Sequence, residues 1–254
     1  MLSDDIRRKR QTKDILLMTH IVIGYPDLKA SMQTVEAMVA AGVDMMELQI
    51  PFSEPIADGP VILHANQRAL ESGITVSRCL EFAAECAGRF DIPFLVMTYY
   101  NILYRRGVGD FVNKLADAGL RGAIVPDLPP EEASEYLSAM TSRQMSPIFI
   151  YSPNTSTERL DYLADFAGGF IYCVARKGVT GAETDFTGEL DGYLKRCRAA
   201  TDLPLAVGFG LKDRDDVQFL IGKADIAVVG SQTIRLLENE GVQAIDGFIR
   251  SLAP

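Results

Sequence analysis

The sequence is poor in metal-binding side chains. It has two histidines, His20 and His64, and four cysteines, Cys79, Cys86, Cys173 and Cys197, in 254 residues. No two cysteines form a C-x-x-C pair, which argues against a Cys/His metal site and for buried thiols in a reducing compartment. Cys79 and Cys86 stand seven apart in a helical pattern, on one apolar face. No run of 18 or more apolar residues occurs, and the opening Met1–Gln11 is too polar for a signal-peptide core, so a cytoplasmic protein is expected. Positive charge is also short. With 25 Lys and Arg against 34 Asp and Glu, the formal charge is −9. Nucleic acids and anionic membranes need clustered Lys and Arg to neutralise phosphates, so neither is an expected partner. The one basic run, Arg7–Arg10, fits a solvated face of an N-terminal helix.

With 48% hydrophobic residues, the chain can bury one large core without disulfides or a metal. Eight short apolar runs recur, near Ile15–Val22, Val43–Ile50, Pro93–Tyr99, Gly122–Pro126, Pro147–Tyr151, Phe170–Ala175, Leu205–Gly208 and Ile226–Gly230. Helical periodicity separates them. Asp27 caps a segment with Met32, Val35, Met38 and Val39 on one face and Gly42 as its stop. Thr75 precedes Val76, Cys79, Leu80, Ala83 and Cys86, and Thr155-x-x-Glu158 reads as a capping box before Leu160 and Leu163. Eight such units in this length predict an α/β fold, a (β/α)₈ TIM barrel forming one domain over 1–254, with residues 1–14 a helical segment below the barrel. An open doubly wound sheet would want a glycine fingerprint after its first strand, and Ile23-Gly24-Tyr25-Pro26 is not one. Two connections exceed ordinary turns: Pro51 to about Ile74, and Arg176 to about Thr187. In a barrel both lie at the carboxyl ends of the strands, where they read as a pair of lids.

Glu47 interrupts the apolar run Val43–Ile50, and a carboxylate near the end of a barrel strand is costly unless it works or is paired. Asp58 follows in Ile56-Ala57-Asp58-Gly59-Pro60, and two carboxylates on adjacent segments can divide acid and base roles. Glycine-rich corners at Lys177–Gly181, Gly208-Phe209-Gly210 and Gly230-Ser231 follow the last three strands, where barrels hold phosphate on backbone N–H groups. Ser231 also opens a helix whose N-terminus favours an anion. His64 fits a solvated helix start. His20 closes an apolar strand, and alternation leaves open whether it faces the pocket or the helical layer.

Together the motifs Glu47-Leu-Gln-Ile-Pro-Phe-Ser-Glu-Pro-Ile-Ala-Asp-Gly-Pro60, Pro126-Asp-Leu-Pro129, Arg176–Ala182, Gly208-Phe-Gly210 and Gly230-Ser231 resemble the α subunit family of tryptophan synthase, in order and spacing, from about Thr19 onward. The resemblance implies cleavage of indole-3-glycerol phosphate to indole and glyceraldehyde 3-phosphate. It also implies docking on a β subunit in an α₂β₂ assembly, with pyridoxal phosphate in the β subunit and no cofactor in this chain. Glu47 would then be the acid–base group, and Asp58 would accept the indole N–H. Thr180 would orient Asp58 as the lids close. Tyr172, Gly181, Phe209, Gly210, Gly230 and Ser231 match positions around the phosphate. Met97, Tyr99, Asp127 and Ile150 match the substrate pocket, and Pro51, Phe52, Glu54 and Asn101 the partner interface. Three positions differ: Gln49 stands in the pocket where the family usually has Gly, His20 where it has an aromatic or apolar wall, and Glu54 where it has Asp. These differences leave open a stand-alone or reshaped-pocket aldolase on another phosphorylated substrate, or a weakly catalytic subunit that activates a β partner.

Overall fold

A computed structural model describes residues 1–175, 188–208 and 210–253. Eight parallel strands close into a barrel in chain order: β1 (Leu16–Val22), β2 (Met45–Gln49), β3 (Phe94–Met97), β4 (Gly122–Ile124), β5 (Ser146–Tyr151), β6 (Ile171–Val174), β7 (Leu205–Gly208) and β8 (Ile226–Val229), with β8 paired to β1. All eight predicted strands are present. β4 ends before Pro126, which has no N–H to give to a ladder.

Alternation along each strand sorts side chains between two cores. Leu17, Ile21, Met46, Leu48, Val96, Phe149, Leu205 and Val207 face the surrounding helices. Leu16, Met18, Met45, Leu95, Met97, Ile124, Ile148, Ala206, Ile226 and Val228 fill the barrel. Leu2 and Ile6, from the helix Leu2–Arg10, join this inner cluster and are almost fully buried. They enter from the end where the strands begin: a Cβ on Gly169, just before β6, would lie 2.9 Å from Leu2 Cδ2. Lys9 Nζ donates to the Asp44 carbonyl at 2.8 Å, and Arg121 pairs with Asp5 at 3.0 Å, fastening the helix under the barrel.

Local signals act largely as expected. Asp27 caps the helix Leu28–Ala40, accepting from Ala30 N at 2.8 Å, and Gly42 beyond its end takes φ +93°, a conformation glycine adopts without strain. Thr75 caps Val76–Arg89. The expected Thr155 cap is displaced by one residue: Ser156 accepts from Arg159 N, while Thr155 Oγ1 is taken by Ser152. Half of the first long connection is the helix Pro60–Glu71, so the loop proper spans only 50–59. All four cysteines are buried and free, and burial pushes the Cys79 and Cys86 thiols up to about 12. Among the described residues, no helix is long and apolar enough to cross a membrane, and no three His, Cys, Asp or Glu groups are placed to hold a metal ion.

Candidate active site

His20, Glu47 and Gln49 occupy inward-facing positions of β1 and β2, continuing the rows Leu16–Met18 and Met45 toward the carboxyl ends of the strands. The structure thus places His20 in the barrel mouth and not in the helical layer. His20 and Glu47 are register partners across the two strands, and His20 Nδ1 lies 3.2 Å from Glu47 Oε1. Both side chains are only 4% exposed.

Gln49 engages the second carboxylate. Its Nε2 donates to Asp58 Oδ2 at 2.6 Å, and the same oxygen accepts from the Tyr99 hydroxyl at 3.2 Å and from Asn66 Nδ2 at 3.5 Å. Loop 50–59 is held around this point. Tyr99 accepts from Ala57 N at 3.2 Å and stacks on Phe52 with centroids 5.1 Å apart, and Asn66 Oδ1 accepts from Phe52 N at 3.0 Å. Asn66 is fully buried and was not singled out in the sequence. Its signal is a polar residue on the side of the helix Pro60–Glu71 that also buries Ala65 and Ala69.

Burial raises the Asp58 pKa above the usual carboxylate range, against the hydrogen bond from Gln49 and the charge of His20, which lower it. Burial also works against the charged form of His20. The charge and hydrogen bond of Glu47, the charge of Asp58 and contact with Gln49 together outweigh it, so the imidazole pKa is raised above 6.5. Tyr172, half-buried on β6, has a phenol pushed well above its ordinary value by burial and by the charges of Glu47 and Asp58.

On the far side of the mouth, Gly208 ends β7 and Gly230 directly follows the adjacent strand β8. A Cβ on Gly208 would lie 3.1 Å from the Tyr172 hydroxyl, and one on Gly230 would lie 3.5 Å from His20 Cβ. Absence of side chains there keeps open the space that the two rings border. Ser231 begins a ten-residue helix, whose first N–H groups have no acceptor within the helix and can meet an anion, whereas Thr233 N donates to the Gly230 carbonyl at 3.1 Å. Thr233 Oγ1 donates to the Gly230 carbonyl at 2.6 Å. Gly210 takes φ +91°. Thr180, Gly181 and Phe209 lie outside the described residues.

Met97 and Ile150 line the inner core at the same end. Asp127 stands apart from them in its bonding: both its oxygens accept from Tyr100 N, at 2.9 and 3.1 Å, at the start of the helix Tyr100–Arg106. Pro51 is buried, Phe52 half-buried, and Glu54 and Asn101 exposed. His64 is half-exposed, 3.8 Å from Glu238 and outside the site.

Among the described residues, three buried polar atoms of the mouth have no hydrogen-bond partner: His20 Nε2, Glu47 Oε2 and Gln49 Oε1. Orphaned groups of this kind are costly in a closed interior, and a site built to bind a polar ligand leaves them free for it.

The model of the family described as tryptophan synthase alpha chain matches residues 6–252. A tryptophan synthase alpha chain of Desulforapulum autotrophicum is 66% identical over 253 residues, covering all of both chains. That of Syntrophotalea carbinolica is 64% identical over 252 residues, 99% of this chain and all of the relative. Among solved structures, Mycobacterium tuberculosis tryptophan synthase superposes with a TM-score of 0.92 at 32% identity, covering 99% of this chain and 96% of that one. A mutant alpha subunit of Pyrococcus furiosus tryptophan synthase does so with a TM-score of 0.87 at 30% identity, covering 94% and 98%. This chain, with two carboxylates buried in the mouth of its barrel, belongs to the tryptophan synthase alpha chain family.

Proposed function

We propose that the chain is a carbon–carbon lyase that cleaves indole-3-glycerol phosphate to indole and glyceraldehyde 3-phosphate, as the alpha subunit of tryptophan synthase in tryptophan biosynthesis. The observation that carries this reading is the joint burial of Glu47 and Asp58 at the strand ends of a barrel of this family, each held by a separate neighbour.

The reaction moves one proton from the hydroxyl beside the ring to carbon 3 of the indole, and breaks the bond between that carbon and the glycerol chain. Glu47 is the group that moves it, giving a proton to carbon 3 and then taking one from the hydroxyl, and its buried Oε2 has no hydrogen-bond partner among the described residues. Protonation at carbon 3 turns the ring into a cationic indolenine. When the hydroxyl then loses its proton and becomes the aldehyde, the electrons of the broken bond return to the ring. The ring itself is the electron sink, so the chemistry calls for no cofactor in this chain. Asp58 accepts the ring N–H and stabilises its positive charge, a role that depends on being held in place before the charge develops. The hydrogen bonds from Gln49, Tyr99 and Asn66 support that role. Gly208, Gly210, Gly230 and Ser231 take the phosphate, with Gly181, Phe209 and Tyr172 beside it, and Thr180 orients Asp58 from the second lid.

Tyr99 serves this reading as the support of loop 50–59, and Met97 and Ile150 as the apolar wall for the ring. Asp127 acts through the helix it caps. Pro51, Phe52, exposed Glu54 and exposed Asn101 form the edge that meets the beta subunit, in an α₂β₂ assembly whose pyridoxal phosphate resides in the beta subunit.

The test is indole release from indole-3-glycerol phosphate by the purified chain, alone and with a beta subunit. Slow release alone and faster release with the partner is the expected outcome. Absence of release in both conditions overturns the reading.

A further inference from the structure

His20 has two ring nitrogens with different surroundings. Nδ1 faces Glu47 Oε1 at 3.2 Å across the β1–β2 ladder. The opposite edge of the ring faces β8, where a Cβ on Gly230 would lie 3.8 Å from His20 Cγ and 3.9 Å from Cδ2. Nε2, bonded to Cδ2, is therefore on the edge turned from the acid–base carboxylate toward the glycine corner, and it is buried with no hydrogen-bond partner among the described residues. Thr233 steadies this junction, since its hydroxyl lies 3.5 Å from the His20 carbonyl and donates to that of Gly230.

A substrate that spans the mouth places its reacting hydroxyl at Glu47 and its phosphate at Gly230 and Ser231. Between them lies the second hydroxyl of the glycerol chain. From these positions we infer that His20 is a substrate-binding residue whose Nε2 donates a hydrogen bond to that second hydroxyl, while its Nδ1 holds Glu47. This rests on the function proposed above and names a contact within the same site.

Both bonds are donated together only by the protonated imidazole. Among the described groups that face His20, the charge and hydrogen bond of Glu47 from β2, the charge of Asp58 from loop 50–59 and contact with Gln49 favour that form, while burial opposes it; just after β8 the backbone presents Gly230. An aromatic residue at this position would fill the same space but could not donate, so His20 shifts recognition toward the hydroxylated tail and away from the ring.

The test uses binding without turnover, with two probes. Glycerol 3-phosphate carries the second hydroxyl and the phosphate; indole-3-propanol phosphate carries the ring and the phosphate but neither hydroxyl. A hydrogen bond to a charged group contributes about 1.5–3 kcal/mol, so His20→Phe is expected to weaken glycerol 3-phosphate roughly 10- to 100-fold. It should leave indole-3-propanol phosphate within about twofold of wild type. Two further variants separate the nitrogens. Gln places its amide near the position of Nε2 and Asn near that of Nδ1, so His20→Gln should retain most of the glycerol 3-phosphate affinity and His20→Asn should lose it. Unchanged glycerol 3-phosphate binding in His20→Phe, equal weakening of both probes, or the reverse order of Gln and Asn overturns the inference. So does a wild-type protein that binds no glycerol 3-phosphate. A wild-type protein that shows the expected binding pattern but releases no indole overturns the proposed reaction and leaves the His20 contact supported.

Discussion

The two ends of the barrel are built from the same strands by opposite rules. At the lower end, Leu2 and Ile6 join Leu16, Met18, Met45 and Phe170 in an apolar plug, with charges such as Asp5, Arg8 and Arg121 paired at the surface. At the upper end, the same inward rows continue as His20, Glu47 and Gln49, buried yet each with one polar atom unpaired among the described residues. Apolar burial at the lower end adds stability, while the unpaired polar atoms at the upper end cost some, an arrangement that suits the ligand site proposed there. One strand serves both purposes within a step of two residues: β1 changes from Met18 to His20, and β2 from Met45 to Glu47.

That contrast can be sharpened from both sides. Asp58→Asn keeps the shape of the side chain and removes its charge, so kcat is expected to fall about 10²–10³-fold in an indole-release assay, with thermal stability nearly unchanged. Leu2→Ala should do the reverse: chemical denaturation should show a loss of about 2–5 kcal/mol, and the folded fraction should cleave at the wild-type rate. Gln49→Ala removes the 2.6 Å support of Asp58 without touching either carboxylate. Steady-state kinetics should register a loss of roughly tenfold in kcat/KM, the scale of one hydrogen bond to a charged group.

The smallest effect is on the pH dependence of stability. His20 has a raised pKa in the folded state, so its contribution is fully present below its unfolded value of 6.5 and is lost as the pH rises through the higher folded value. Thermal melts above pH 6.5 should therefore show a decline in wild type that is shallower in His20→Phe. Equal slopes in the two proteins would contradict a charged His20 facing Glu47 and Asp58.

How much of this was legible in the sequence depended on where each signal came from. The eight strands were legible because each is an apolar run closed by a turn signal, and Glu47 because it breaks such a run. The side on which His20 lies was not legible. β1 is buried on both faces, so no polar alternation marks its inner row. The cap of the helix Thr157–Phe166 is ambiguous in the sequence by one position because Thr155 and Ser156 both carry hydroxyls, and only the contact of Thr155 with Ser152 separates them. Asn66 went unread for a similar reason: its partners, Asp58, Gln49 and Phe52, come from another strand and loop. Asp127 was placed by resemblance in the pocket, and its bond to Tyr100 N shows that it also starts a helix.

The most direct test of the division between the two ends is the rate of indole release by Glu47→Gln, measured beside wild type at saturating indole-3-glycerol phosphate. The account predicts a fall of about 10²–10⁴-fold, the usual effect of losing a positioned acid–base group. A rate within a few-fold of wild type would contradict it, and would mean that the buried carboxylate of β2 serves the fold and not the reaction.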